Sequence, residues 1–125
     1  MFGRLVFISY TLRGNEISRE LLSNLKLKLK DFAIDTYIDL LDNDKIEGHQ
    51  AYVFAKLAES DMLLLIQSAQ VYHSVWVREE LKYASKLGKP ILPVSLCDIR
   101  KMLTLPSVNF SWSNLFEHKK GGHRI

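Results

Sequence analysis

Trp76 and Glu80 stand four residues apart in the segment Ser74-Val75-Trp76-Val77-Arg78-Glu79-Glu80-Leu81. On a helix that spacing puts both on one face, while Glu79 points about 100° away, so the two adjacent acids are not equivalent. A carboxylate beside an aromatic face can stabilise a developing cation, and the aromatic can stack on a planar ring. The same spacing also fits a plainer arrangement, with Trp76 packed on a sheet and Glu80 solvated. Other chemistries lack their residues. No Gly-x-Gly-x-x-Gly follows the first apolar run and no Gly-x-x-x-x-Gly-Lys-Ser/Thr occurs, which removes the dinucleotide fingerprint and the P-loop. No Gly-x-Ser-x-Gly elbow supports Ser-His-Asp hydrolysis. Cys97 is the single cysteine and the four histidines show no i,i+4 pair, so neither a disulfide nor a metal site is expected.

Those residues need a frame. Leu5-Val6-Phe7-Ile8 is a continuous apolar run ended by Ser9-Tyr10, the signature of a strand buried on both faces. Gly14-Asn15 marks a loop. Ile17, Leu21, Leu25 and Leu29 recur every four residues from Glu16 onward and predict a helix. Within it Leu25, Leu27 and Leu29 alternate with lysines, a strand pattern; the longer period and the good helix formers favour helix. Ala33 to Leu41 reads as a second strand, Asp42 to Gly48 as a polar loop, and Ala51 to Ala58 as a short helix. Met62 to Ile66 is the most hydrophobic segment and the best central strand. Ser74 caps a helix over Val75 to Leu87, and Gly88 stops it. Ile91 to Leu96 makes a fourth strand, Ile99 to Leu103 a short helix, Val108 to Trp112 a fifth strand, and Ser113 to Lys120 a last helix. Strand and helix alternate about five times. The expected fold is α/β, a flavodoxin-like doubly wound sheet of about five parallel strands flanked by helices. Ligands of such sheets sit beyond the carboxyl ends of the strands.

The chain has 125 residues, 47% hydrophobic and 25% charged, which is one globular domain and not a disordered segment. The longest apolar run, Met62 to Ile66, is far too short to span a membrane, and the amino terminus carries no signal-peptide pattern. A cytoplasmic setting without membrane contact is expected. Net charge is +3, much of it from Glu117 onward, so the basic balance belongs to a tail over 117–125 and does not indicate nucleic acid.

In order and at the right spacing, the segments resemble the TIR (Toll/interleukin receptor) domain family. Val6-Phe7-Ile8-Ser9-Tyr10 is similar to its first box, and Thr36-Tyr37-Ile38-Asp39 to its second strand entering the BB loop. Ser60 to Ile66 is similar to its third strand, and Ser74 to Leu81 to the Ser-x-Trp-x-x-x-Glu segment of its third helix. Gly88 to Val94 resembles the fourth strand, and Phe110-Ser111-Trp112 lies near the last box with one residue inserted. The resemblance spans Leu5 to Trp112, within a TIR domain over 1–116.

Many TIR domains cleave NAD+ at the nicotinamide–ribose bond, and the resemblance implies that activity here, with NAD+ as substrate and no cofactor. It implies Glu80 as the catalytic glutamate and Tyr10, Thr11, Asp39 and Trp76 as substrate-binding residues. Asp39 caps the loop backbone or contacts ligand, and Trp76 lies in the core or stacks on adenine. Enzymatic members assemble so that the BB loop of one subunit completes the next subunit's pocket, which points to Asp44, Lys45 and Gly48; Glu47 stands where that loop often has proline. The product, ADP-ribose or a cyclic or modified ADP-ribose, fits an immune signal sensed by a separate effector in phage defence. Two other functions fit the same layout: an adaptor acting only through TIR–TIR contacts, and a nucleoside deoxyribosyltransferase-like enzyme.

Overall fold

In the computed structural model, residues 4–43 and 48–104 are described. They form β1 (Arg4–Ser9), α1 (Arg19–Lys30), β2 (Ile34–Tyr37), α2 (Asp39–Asp42), α3 (His49–Glu59), β3 (Met62–Gln67), α4 (Val75–Lys86), β4 (Ile91–Ser95) and α5 (Leu96–Thr104), with short 3-10 turns at Arg13–Asn15 and Val71–His73. Among the described residues the strands make one sheet in the order β2-β1-β3-β4, with every pairing parallel. The expected fifth strand (Val108 to Trp112), the last helix and the 117–125 tail lie outside the described residues.

Strand parity divides the core. Val6, Ile8, Leu64, Ile66, Leu92 and Val94 face one side and pack with Leu22, Leu25 and Leu29 of α1 and with Ile99 and Met102 of α5. Phe7, Leu63 and Leu65 face the other side and pack with Val53 and Leu57 of α3 and with Val77 and Ala84 of α4. Helices therefore cover both faces, and the central strands are apolar on both faces through Leu5–Ile8 and Met62–Ile66, as a doubly wound parallel sheet requires. The ambiguity at Leu25 to Leu29 resolves at one residue: Leu27 is 66% exposed while Leu25 and Leu29 are buried, which a helix demands and a strand forbids.

Helix α1 begins at Arg19, later than the expected Glu16, because Ser18 is its cap and accepts a hydrogen bond from the Leu21 amide at 3.1 Å. Ile17 just before the cap and Leu22 inside the first turns belong to the same core cluster, the arrangement of a hydrophobic staple. Helix α4 follows its expected limits closely. Ser74 accepts from the Val77 amide at 3.3 Å. At the far end Gly88 takes φ +72°, its amide bonds Ser85 O, and the Lys89 amide bonds Ala84 O, a Schellman ending.

The expected strand over Ala33 to Leu41 is corrected at both ends. Ala33 sits at φ +61°, a turn conformation outside the strand region. After Ile38 the chain turns into α2, because the Asp42 carboxylate accepts the Ile38 amide at 2.8 Å and is held by Lys26 Nζ at 2.9 Å. Lys26 also donates to Thr36 O at 2.7 Å, tying α1 to the end of β2.

The left-handed Ala33 gives a stability prediction. An L-residue with a Cβ is disfavoured there by roughly 1 kcal/mol, whereas glycine adopts it freely. Ala33 is exposed, so no packing is lost. Ala33→Gly is expected to raise the melting temperature by about 2–4 °C, after its larger unfolded-state entropy is set against the relieved strain. Thermal denaturation followed by circular dichroism checks this; an unchanged or lower midpoint contradicts it.

Candidate functional site

Beyond the carboxyl ends of β1 and β2, between the loop after β1 and helices α3 and α4, lies a cleft of about 570 Å³. That size suits a small-molecule ligand. Tyr10, Thr11, Asp39, Trp76 and Glu80 all line it, together with Arg13, His49 and Gln50. The fold thus brings the predicted catalytic and substrate-binding residues together in one place. Gly48, at φ +70°, starts α3 near the cleft. Asp44 and Lys45 lie outside the described residues.

Glu80 reaches the cleft floor for a reason written in two elements. Ser9 has the same strand parity as Phe7 and faces the α3/α4 side of the sheet. In α4, Val77 and Ala84 form the buried stripe, and Glu80 falls between them at helical spacing. The Ser9 hydroxyl, fully buried, donates to Glu80 Oε1 at 2.7 Å. Among the described residues Glu80 Oε2 has no hydrogen-bond partner. Burial pushes the Glu80 carboxyl up to about 7; the Ser9 hydrogen bond pulls it down and the nearby Asp39 charge raises it further. Glu80 is therefore neither solvated nor an ordinary surface acid. Glu79, one residue earlier, is exposed.

Trp76 is 60% exposed, so the packing of its ring on the sheet is corrected: the core-facing positions of α4 are Val77 and Ala84, and Trp76 stands at the cleft mouth. Leu12 and Val75, both exposed, line the same mouth, giving it an apolar rim.

Among the described residues no backbone amide donates to the Asp39 carboxylate, and it is Asp42 that accepts the Ile38 amide. The Asp39 carboxylate instead collects side chains. Its Oδ1 accepts from Tyr37 OH at 2.9 Å and from Asn43 Nδ2 at 2.8 Å, and its Oδ2 lies 3.1 Å from His49 Nε2. His49 Nδ1 lies 3.2 Å from Asn43 Nδ2, so the ring is closed. Burial and the Asp39 contact raise the Tyr37 phenol well above its ordinary range. Tyr10 OH accepts the Leu40 amide at 2.9 Å, and burial pushes this phenol up to about 12. Thr11 Oγ1 accepts the Arg13 amide at 3.2 Å, which shapes the loop carrying Arg13.

The sequence singles out neither His49 nor Gln50, and it places Ser9 only at the strand end where ligands of such sheets sit, without a role. For Ser9 the signal existed in strand parity; for His49 and Gln50 it did not, because nothing in the spacing shows that α3 starts against Asp39. Among the described residues no group of His, Cys, Asp and Glu side chains is placed to hold a metal ion. No helix there is long and apolar enough to cross a membrane.

Residues 7–101 match a family model described as the TIR-like domain of the Thoeris protein ThsB. That span contains Ser9, Asp39, Trp76 and Glu80. No curated protein matches the chain. Among solved structures, a 2-deoxyribosyltransferase from the psychrotolerant bacterium Bacillus psychrosaccharolyticus is similar, with a TM-score of 0.56 and 16% identity over 89% of this chain and 95% of that one. At that identity the likeness is one of fold.

Proposed function

This chain belongs to the family of the Thoeris ThsB TIR-like domain, and from that membership we propose that it cleaves NAD+ at the nicotinamide–ribose bond. The observation that supports this most is Glu80: a carboxyl on the floor of a ligand-sized cleft, one oxygen held by Ser9 and the other without a partner among the described residues. The bond to be broken suits a lone carboxylate. The pyridinium nitrogen takes the C–N electron pair and leaves as neutral nicotinamide, so no general acid is needed, in contrast to glycosidases with their two carboxyl groups. The cationic character left on the ribose is stabilised by the Glu80 carboxylate. Burial holds that carboxyl partly neutral, and a positive nicotinamide ring entering beside it favours the ionised form. Trp76 offers its exposed face to a ring of the dinucleotide, and Arg13 is a cation on the rim for the diphosphate. Asp39 and Tyr10 bound the ribose side.

Attack by water gives ADP-ribose and a proton; attack by a nucleophile within the same molecule gives a cyclic product. The product serves as a defence signal read by a separate effector in the cytoplasm. The chain self-associates, and the loop carrying Asp44, Lys45 and Gly48 completes a neighbour's cleft. Neither nucleic acid nor membrane is a partner.

The test is incubation of the purified protein at high concentration with NAD+, followed by mass spectrometry. Nicotinamide together with ADP-ribose or a cyclic or conjugated derivative is the expected result, with turnover per molecule rising with protein concentration. Base exchange between deoxynucleosides with NAD+ untouched overturns the reading in favour of deoxyribosyl transfer. No turnover of either substrate under crowding favours the adaptor.

A further inference from the structure

The Ser9 hydroxyl is buried at the last position of β1 and spends its one donor on Glu80, 71 residues away in sequence. A buried hydroxyl beside a carboxyl does more than fill space: it fixes which oxygen is engaged and where the other points. Resting on the reading of Glu80 as the reacting carboxylate, we propose that Ser9 is the positioning residue of this site, holding Glu80 Oε1 so that Oε2 is the oxygen presented to the substrate. The strand end makes this a rigid support. Ser9 pairs in register with Leu65 of β3, so its backbone is fixed by the sheet, and only the hydroxyl rotor needs to orient. The same hydrogen bond opposes the burial that drives the carboxyl toward its neutral form. The other titratable or charged groups lining the cleft are Asp39 at the start of α2, Tyr10 and Arg13 after β1, and His49 at the start of α3.

The test pairs two readouts on the full chain. The first is an NMR titration of the Glu80 carboxyl with 13C-labelled glutamate, which needs no substrate. The second is the pH profile of kcat/KM for NAD+. In Ser9→Ala the Glu80 titration is expected to move up by about one pH unit. The acid limb of the profile moves with it, lowering the rate at pH 7 about fivefold and recovering much of it at alkaline pH. Ser9→Thr keeps the hydroxyl and restores both readouts. Should the extra methyl unfold that buried position, Ser9→Cys, close in volume and a weak donor, is expected to fall between wild type and Ser9→Ala. A Glu80 titration in folded Ser9→Ala that coincides with wild type overturns the proposal, whatever the activity. A rate loss equal at every pH also overturns it, since that reports a structural lesion. A shifted titration in a protein that leaves NAD+ intact sinks the NAD+ reading and still supports the Ser9–Glu80 pairing.

Discussion

Glu80→Gln is expected to lower the rate of NAD+ cleavage by about 10²–10³-fold, while Glu79→Gln changes it less than about threefold. The glutamine keeps the size of the side chain and can still accept the Ser9 hydrogen bond through its amide oxygen. It removes only the negative charge facing the cation that develops as nicotinamide departs. Losing one electrostatic contact of this kind in a desolvated site costs on the order of 3 kcal/mol of transition-state stabilisation. Glu79 is exposed, and among the described residues it makes no ion pair, so its charge is screened by solvent. The measurement is nicotinamide release under saturating NAD+, with circular dichroism confirming that both variants are folded. Near-normal turnover by Glu80→Gln, or loss of turnover in Glu79→Gln instead, overturns the assignment. A loss confined to KM also counts against it, because a charge acting only in the transition state lowers kcat.

The contrast between these neighbouring acids is legible in the sequence, since Trp76 and Glu80 share the helix face that lines the cleft. The four-residue step from Trp76 correctly set Glu80 apart from Glu79. What the spacing does not show is depth: Trp76 stands at the mouth of the cleft, and the Val77–Ala84 stripe carries Glu80 inward. Local signals place most of α4: its serine cap and its glycine stop stand at its own two ends. The apolar run Met62 to Ile66 likewise announced β3 and its burial on both faces. What the sequence hid depends on long reach. The turn after Ile38 looks like continuing strand, because Thr36, Tyr37 and Ile38 have strand character. It is made by Asp42 and by Lys26, which arrives from a different helix. Ala33 gives no hint of a left-handed turn, since its side chain disfavours one. The Ser9–Glu80 hydrogen bond and the Asp39–His49 contact both join separate elements, and no period or spacing encodes them.

Glu80 also makes the protein pay in stability for its site, and the pH dependence follows from the direction of its shift. An unfolded glutamate titrates near 4.5, and burial raises the folded value to about 7. Between those two values the folded state binds more protons than the unfolded state, so stability falls as pH rises through that window. The penalty is absent at pH values below the unfolded value and complete above the folded one. A shift of this size corresponds to on the order of 3 kcal/mol. Glutamine is neutral at every pH and carries no such penalty. Glu80→Gln is therefore expected to be more stable than wild type at pH 8 by roughly 2–3 kcal/mol, and to match it within about 0.5 kcal/mol at pH 4. For a domain of this length that is a rise of about 5–10 °C in melting midpoint at the alkaline end. Taking the difference between variant and wild type at each pH cancels the titration of every other group the two chains share. Urea denaturation at a series of pH values measures it. A difference that does not change between pH 4 and pH 8 means Glu80 is not desolvated in the folded chain. A wild type more stable than the variant at pH 8 means the charged carboxylate holds the fold together, which reverses the sign derived from its burial.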